Sequence, residues 1–227
     1  MKHISLYCFI LLIALSSCKS SPDKPAVSAD GLGLIKIDNV VVLSPKIKQI
    51  SHHVVAFLPF TYNKADGTAV DFQKTVTDNY LNTFETYFLK TGLDIVEREK
   101  VEALLKEQQF SMTGLTDNDR KRIGKLLNAD AIVTGQINNY DMLPVSGDEP
   151  TTNGFIYPKD QNRYNGYIAL NLKAINVETS ALLWKMNLSA NISNMPANSY
   201  SEYYDRALKQ LCEDAIDKFI KDYDKLK

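Results

Sequence analysis

Few residues of this 227-residue chain stand where chemistry could begin. His52 and His53 are adjacent, and neighbours on an extended chain point in opposite directions. Lacking a further His or Cys partner, they read as surface residues rather than metal ligands. Glu97-Arg98-Glu99 is a charged triplet at a strand-to-helix turn, where a carboxylate could act as acid or base. Charges so placed are usually solvated or paired with each other, and that is the expectation here. Asp141 and Asp160 form a carboxylate pair only if the fold brings them together. Phe72, Val76, Tyr80, Phe84 and Phe88 could stack a ligand, yet recurrence every four residues is the spacing of a packed helix face. There is no Gly-x-Ser-x-Gly elbow, no phosphate-cradling glycine loop and no Cys/His metal spacing. We therefore expect a non-enzymatic protein with no cofactor and no metal.

The residue with the clearest chemistry is a thiol. Lys2 and His3 precede an apolar run from Leu6 to Leu15 that is too short to span a bilayer, so residues 1–17 read as a secretory signal. The run ends in Leu15-Ser16-Ser17-Cys18, which resembles the bacterial lipobox. That resemblance implies a diacylglyceryl group on the Cys18 sulfur, cleavage before it, and acylation of the new amino terminus. Several acyl chains on one residue hold more firmly than the marginal binding of one. Lys19, in place of an aspartate, implies by the same resemblance the outer membrane rather than the inner one; we expect the domain to face the periplasm.

Charge and cysteine usage narrow the partners. The formal charge is -1, to which the departing Lys2 contributes +1, leaving -2; nothing there suggests nucleic acid. With Cys8 removed and Cys18 lipidated, Cys212 stands alone and no internal disulfide forms. Residues 18–33, rich in Ser, Pro, Ala, Gly and Asp, read as a flexible tether whose full extension is roughly 50 Å. Residues 34–227 are long enough for one domain and short for two.

The elements that would position any site follow from periodicity. Val40 to Leu43 suggests a short edge or capping strand, and Val54-Val55-Ala56-Phe57-Leu58-Pro59-Phe60 a central strand covered on both faces. The aromatic stripe predicts a long helix with Asp71 as N-cap and Gly92 as C-cap. Leu93 to Arg98 predicts a short strand entering a second helix, with Val101, Leu104, Leu105 and Phe110 on one face. Thr116-Asp117-Asn118-Asp119 is a capping-box start for a third helix. Ile123, Leu126 and Leu127 then give way to the apolar run Ala131-Ile132-Val133, a helix set against the middle of a sheet. Strict alternation from Leu182 to Ile192 predicts a strand with one buried face, paired as a hairpin with 167–177 and bulged near Lys173. Ser199 and Glu202 open a last helix with Tyr204, Leu208, Leu211, Ala215, Phe219 and Ile220 inward, Cys212 buried beside them, and a solvated tail from 221 to 227.

Three of these segments together resemble the curli production assembly/transport (CsgG-like) family of outer-membrane lipoproteins. They are Val-Val-Ala-Phe-Leu-Pro-Phe, Ile-Val-Glu-Arg-Glu-Lys-Val-Glu-Ala-Leu-Leu and Gly-Lys-Leu-Leu-Asn-Ala-Asp-Ala-Ile-Val-Thr-Gly-Gln-Ile, and the resemblance extends from about Val54 to Phe219. It implies an α/β (α+β) domain with helices packed on a small mixed sheet, similar to the amino-terminal domain of TolB or an anticodon-binding domain. It also implies a membrane-tethered assembly or secretion component with a protein partner in the envelope, and it admits a homo-oligomer. The alternative within the same resemblance is a periplasmic activator of a peptidoglycan synthase (LpoB-type). A pore would need two membrane hairpins of roughly 20 residues each; the stretch from Ile192 to the helix near Ser199 has no room for one, and 142–163, though long enough, lacks the alternation. We read 142–163 as a mobile surface loop, with Phe155, Tyr157 and Tyr164 as candidate partner contacts.

Overall fold

The computed structural model describes residues 26–27, 34–49, 53–62, 70–110, 115–144, 163–196 and 199–226. The chain enters through β1 (Ala26–Val27) and β2 (Leu34–Leu43), then β3 (Val54–Phe57) and β4 (Thr61–Tyr62). Helix α1 (Val70–Phe88), strand β5 (Asp94–Ile95) and helices α2 (Arg98–Glu107) and α3 (Asp117–Leu126) follow. Three long strands, β6 (Ala131–Pro144), β7 (Arg163–Asn176) and β8 (Leu182–Pro196), precede the closing helix α4 (Tyr200–Leu226). This is the expected α+β class, with a mixed sheet.

The strands form one sheet in the order β1-β2-β8-β7-β6-β3-β5, with β4 pairing β6 beyond the end of β3. β2, β8, β7 and β6 run antiparallel each to the next, whereas β3 joins β6 and β5 in parallel and β4 also pairs β6 in parallel. Of the parallel pairs, β3 and the start of β6 are apolar on both faces, because helices cover both sides of them. α1 and α4 lie on one side. There Phe57, Phe88, Trp184 and Phe219 interlock, with the Phe57 and Phe88 rings 5.1 Å apart and edge-on. α2 and α3 cover the other side, where Ala56, Leu58, Val101, Ile123, Ile132 and Val177 pack together. The alternate residues of β3 and of the start of β6 therefore enter two different cores.

Local signals fixed many boundaries. Thr116 caps α3 by accepting from the Asp119 amide at 3.2 Å, while the Asp119 side chain accepts from the Thr116 amide at 2.9 Å. Gly92, at φ 73°, ends the turn that follows α1, a left-handed conformation open to glycine at no steric cost. The hairpin bulges opposite the step from Ala174 to Ile175, next to Lys173, and burial changes there as well: Ile175 and Val177, on the face of the chain opposite Leu172 and Ala174, enter the second core.

Other expectations need correction. β2 is a ten-residue strand paired along its length with β8, so the edge strand begins well before Val40. β1 lies within the stretch read as tether and pairs with the start of β2. α1 begins at Val70, which places Asp71 inside the first turn rather than at the cap. Leu182 is 46 % exposed, and Leu183 is buried in its place, because Leu183 is the extra residue of a bulge in β8 that shifts the pairing there. Residues 142–144 belong to β6 rather than to a loop; Pro144 is accommodated at the strand end, opposite Tyr164. The tail is helical to Leu226, and buried Tyr223 stacks on Phe219.

Candidate functional site

The described residues leave one groove with an unusual carboxyl in it. It lies between α1, which contributes Asn82, Glu85, Thr86 and Leu89, and the turn from β5 into α2, which contributes Ile95, Val96, Glu97 and Arg98; its volume is about 410 Å³. The groove exists because β5 ends the sheet. Among the described residues no further strand lies beyond Ile95 to fill the space under α1.

Arg98 organises one wall. Its guanidinium donates through Nη2 to the Asp78 carboxylate at 2.5 Å, through Nε to Glu102 at 2.9 Å, and through Nη1 to the Asn82 side-chain oxygen. The start of α2 is thereby joined to α1. Burial opposes the charge on Arg98, but the hydrogen bonds and charges of Glu102 and Asp78 outweigh it and its pKa is raised. Glu97 and Glu99 are exposed to solvent, as expected, but Arg98 does not pair within the triplet. Arg98 reaches across to α1, and Glu97 pairs with Lys100 at 3.0 Å on the exposed turn.

Glu85 lies one helical turn beyond Asn82 and has no hydrogen bond to a described residue. Burial pushes its pKa from 4.5 up to about 7; Arg98 opposes this, and the nearby Glu102 and Glu99 add to it. A carboxyl poised there exchanges a proton near neutrality, or accepts a cation that Arg98, already engaged, does not supply. Beside it Leu89 is 62 % exposed, an apolar shelf at the groove mouth. Sequence reasoning passed over Glu85, although a signal exists. It continues the row Leu81-Glu85-Leu89 at intervals of four, which puts a carboxylate at the margin of the buried stripe.

Cys18, Phe155, Tyr157, His52 and Asp160 lie outside the described residues. Tyr164 is in β7, half-buried and packed against the main core, so it is not a free loop side chain. His53 is exposed, at φ 60°. Among the described residues no group of three His, Cys, Asp or Glu is placed to hold a metal ion. Nor is any helix among them long and apolar enough to cross a membrane.

The sequence that forms both walls of this groove, with the elements from α1 to β8, is matched by a known family. The profile described as "Curli production assembly/transport component CsgG" matches residues 63–200, more than half of the chain. The chain belongs to the CsgG family. Among solved structures, this CsgG-family chain is similar to the PelC dodecamer from Paraburkholderia phytofirmans, at 10 % identity and a TM-score of 0.42 over 80 % of this chain and 95 % of that one. It is also similar to lipoprotein GNA1162 from Neisseria meningitidis, at 10 % identity and 0.45 over 69 % and 96 %. The LpoB C-terminal domain from Escherichia coli is similar at 10 % identity and 0.36 over 64 % and 92 %. No curated protein matches the chain.

Proposed function

We propose that this CsgG-family chain is a non-enzymatic envelope lipoprotein. In this reading it is anchored through Cys18 to the outer membrane, faces the periplasm, and acts as an assembly, secretion-accessory or secretion-channel component. The observation that carries the reading is the family match over 63–200 on a chain whose amino terminus has the lipobox-like Leu15-Ser16-Ser17-Cys18. The position of β1 sharpens it. Only eight peptide steps separate Cys18 from Ala26, a maximum reach of about 28 Å. A domain so held works close to its own membrane, which favours this reading over activation of a synthase across the periplasm.

The test is acylation together with assembly state. Full-length protein should incorporate labelled palmitate and sediment with outer membranes, and Cys18→Ala should lose both. Native mass in mild detergent then separates a closed ring, the channel form, from a small accessory module. Palmitate-free wild-type protein in the soluble periplasmic fraction would overturn the proposal.

A further inference from the structure

β5 is the last strand of the sheet, and its outer edge is open among the described residues. On its inner side the Asp94 amide donates to the His53 carbonyl and the Val96 amide to the Val55 carbonyl, each at 2.9 Å. In a parallel ladder alternate residues bond to alternate sides. The N–H and C=O of Ile95 therefore face away from β3, beside the groove that Ile95 itself lines.

The charges around that edge are one-sided. Asp94 and Glu99 are exposed, Glu85 is half-buried without a hydrogen-bonding partner among the described residues, and Glu97 and Glu102 flank the turn. Of the cations present, Arg98 is engaged by Asp78, Asn82 and Glu102, and Lys100 by Glu97. An anion is repelled by this surface, and a neutral apolar group leaves the Glu85 carboxyl without a donor. A cation on an aliphatic stem satisfies both features, with its stem on Leu89 and its head on Glu85.

We propose that the open edge of β5 and the groove beside it dock an extended segment of a protein partner carrying a lysine or arginine. The segment pairs with the Ile95 backbone, its cationic group sits on the Glu85 carboxylate, and its aliphatic part covers Leu89. Backbone pairing at an edge supplies affinity, and the pocket beneath supplies selectivity for side chains. The acidic edge also turns away segments of the wrong charge. A free amine shares the head-group chemistry, but only a peptide uses the Ile95 edge. The site belongs to the folded domain, so it stands or falls separately from lipidation and assembly.

The experiment uses the full chain, labelled for observation of glutamate carboxyls and backbone amides by NMR, and the blocked pentapeptide Val-Lys-Val-Lys-Val. Its Glu-for-Lys counterpart is the control. Saturating peptide should move the Ile95 amide and lower the Glu85 titration midpoint by about 1, corresponding to a roughly tenfold preference for the ionised carboxylate. Glu85→Gln should weaken the Lys peptide about tenfold, whereas Glu202→Gln on α4 should not. Equal binding of the Glu peptide, a Glu85 midpoint that does not move, or an Ile95 amide no more perturbed than those of α4 would each overturn the proposal.

Discussion

The Arg98 guanidinium meets the Asp78 carboxylate at 2.5 Å and so joins the first residue of α2 to the middle of α1. Twenty residues separate them in sequence, and the pair is only partly screened, with side chains 22 % and 37 % exposed. Because Arg98 also serves Asn82 and Glu102, it neutralises Glu85 incompletely. Asp78→Asn should release guanidinium charge toward Glu85 and lower the Glu85 midpoint below its value of about 7. The stability cost should be about 1 kcal/mol or less, given the exposure of the pair. Carboxyl NMR and denaturant unfolding check the two parts, and an upward shift of Glu85 would contradict the account.

Glu85 makes stability fall as pH rises. Its folded value of about 7 lies above the ordinary 4.5, so its favourable contribution is complete below pH 4.5 and lost as pH passes 7. Glu85→Gln does not titrate. The variant should match wild type near pH 4.5 and exceed it at pH 8 by roughly 1 kcal/mol, a figure discounted for the solvent that reaches the side chain. Thermal unfolding at the two pH values measures this; a variant less stable than wild type at pH 8 would reverse the sign.

Gly124 lets α3 lie against the end of β7. A Cβ there would fall inside the van der Waals shell of Val177 Cγ2, 3.0 Å from Val177 Cγ1 and 3.2 Å from Ile132 Cγ1. Val177 is stiff at χ1 and cannot readily swing aside. Gly124→Ala gains about 1 kcal/mol in helix propensity but meets an overpacking penalty of roughly 1–3 kcal/mol. We expect net destabilisation of about 1 kcal/mol, diminished when Val177→Ala is added. A double-mutant cycle by urea unfolding is the check, and additive effects would remove the packing explanation.

Cys212 is fully buried on the inner face of α4, and burial pushes its thiol pKa far above the ordinary range. A thiol reagent should therefore leave it unmodified in the native protein at pH 8 and modify it once the chain is unfolded. Rapid labelling under native conditions would place α4 in a different register.

Much of the fold was legible because its cause is local. The stripe from Val76 to Phe88, the alternation from Trp184 to Ile192, the Thr116 cap, the junction from α3 to β6 and the burial of Cys212 all follow from periodicity and hydrogen-bonding chemistry within a few residues. Periodicity states which side of an element is covered, but not what covers it. That Arg98 turns to Asp78 rather than to its neighbours, that β5 is left at the edge, and that Glu85 is desolvated beside them depended on the packing of α1, β5 and α2. The Leu182–Leu183 exchange likewise required the bulge in the hairpin. The amino-acid order by itself determined most of the helices and central strands, the faces they bury and the family. Only the tertiary structure decided the groove, because the charge state of a carboxyl is set by water and by atoms that distant segments bring to it.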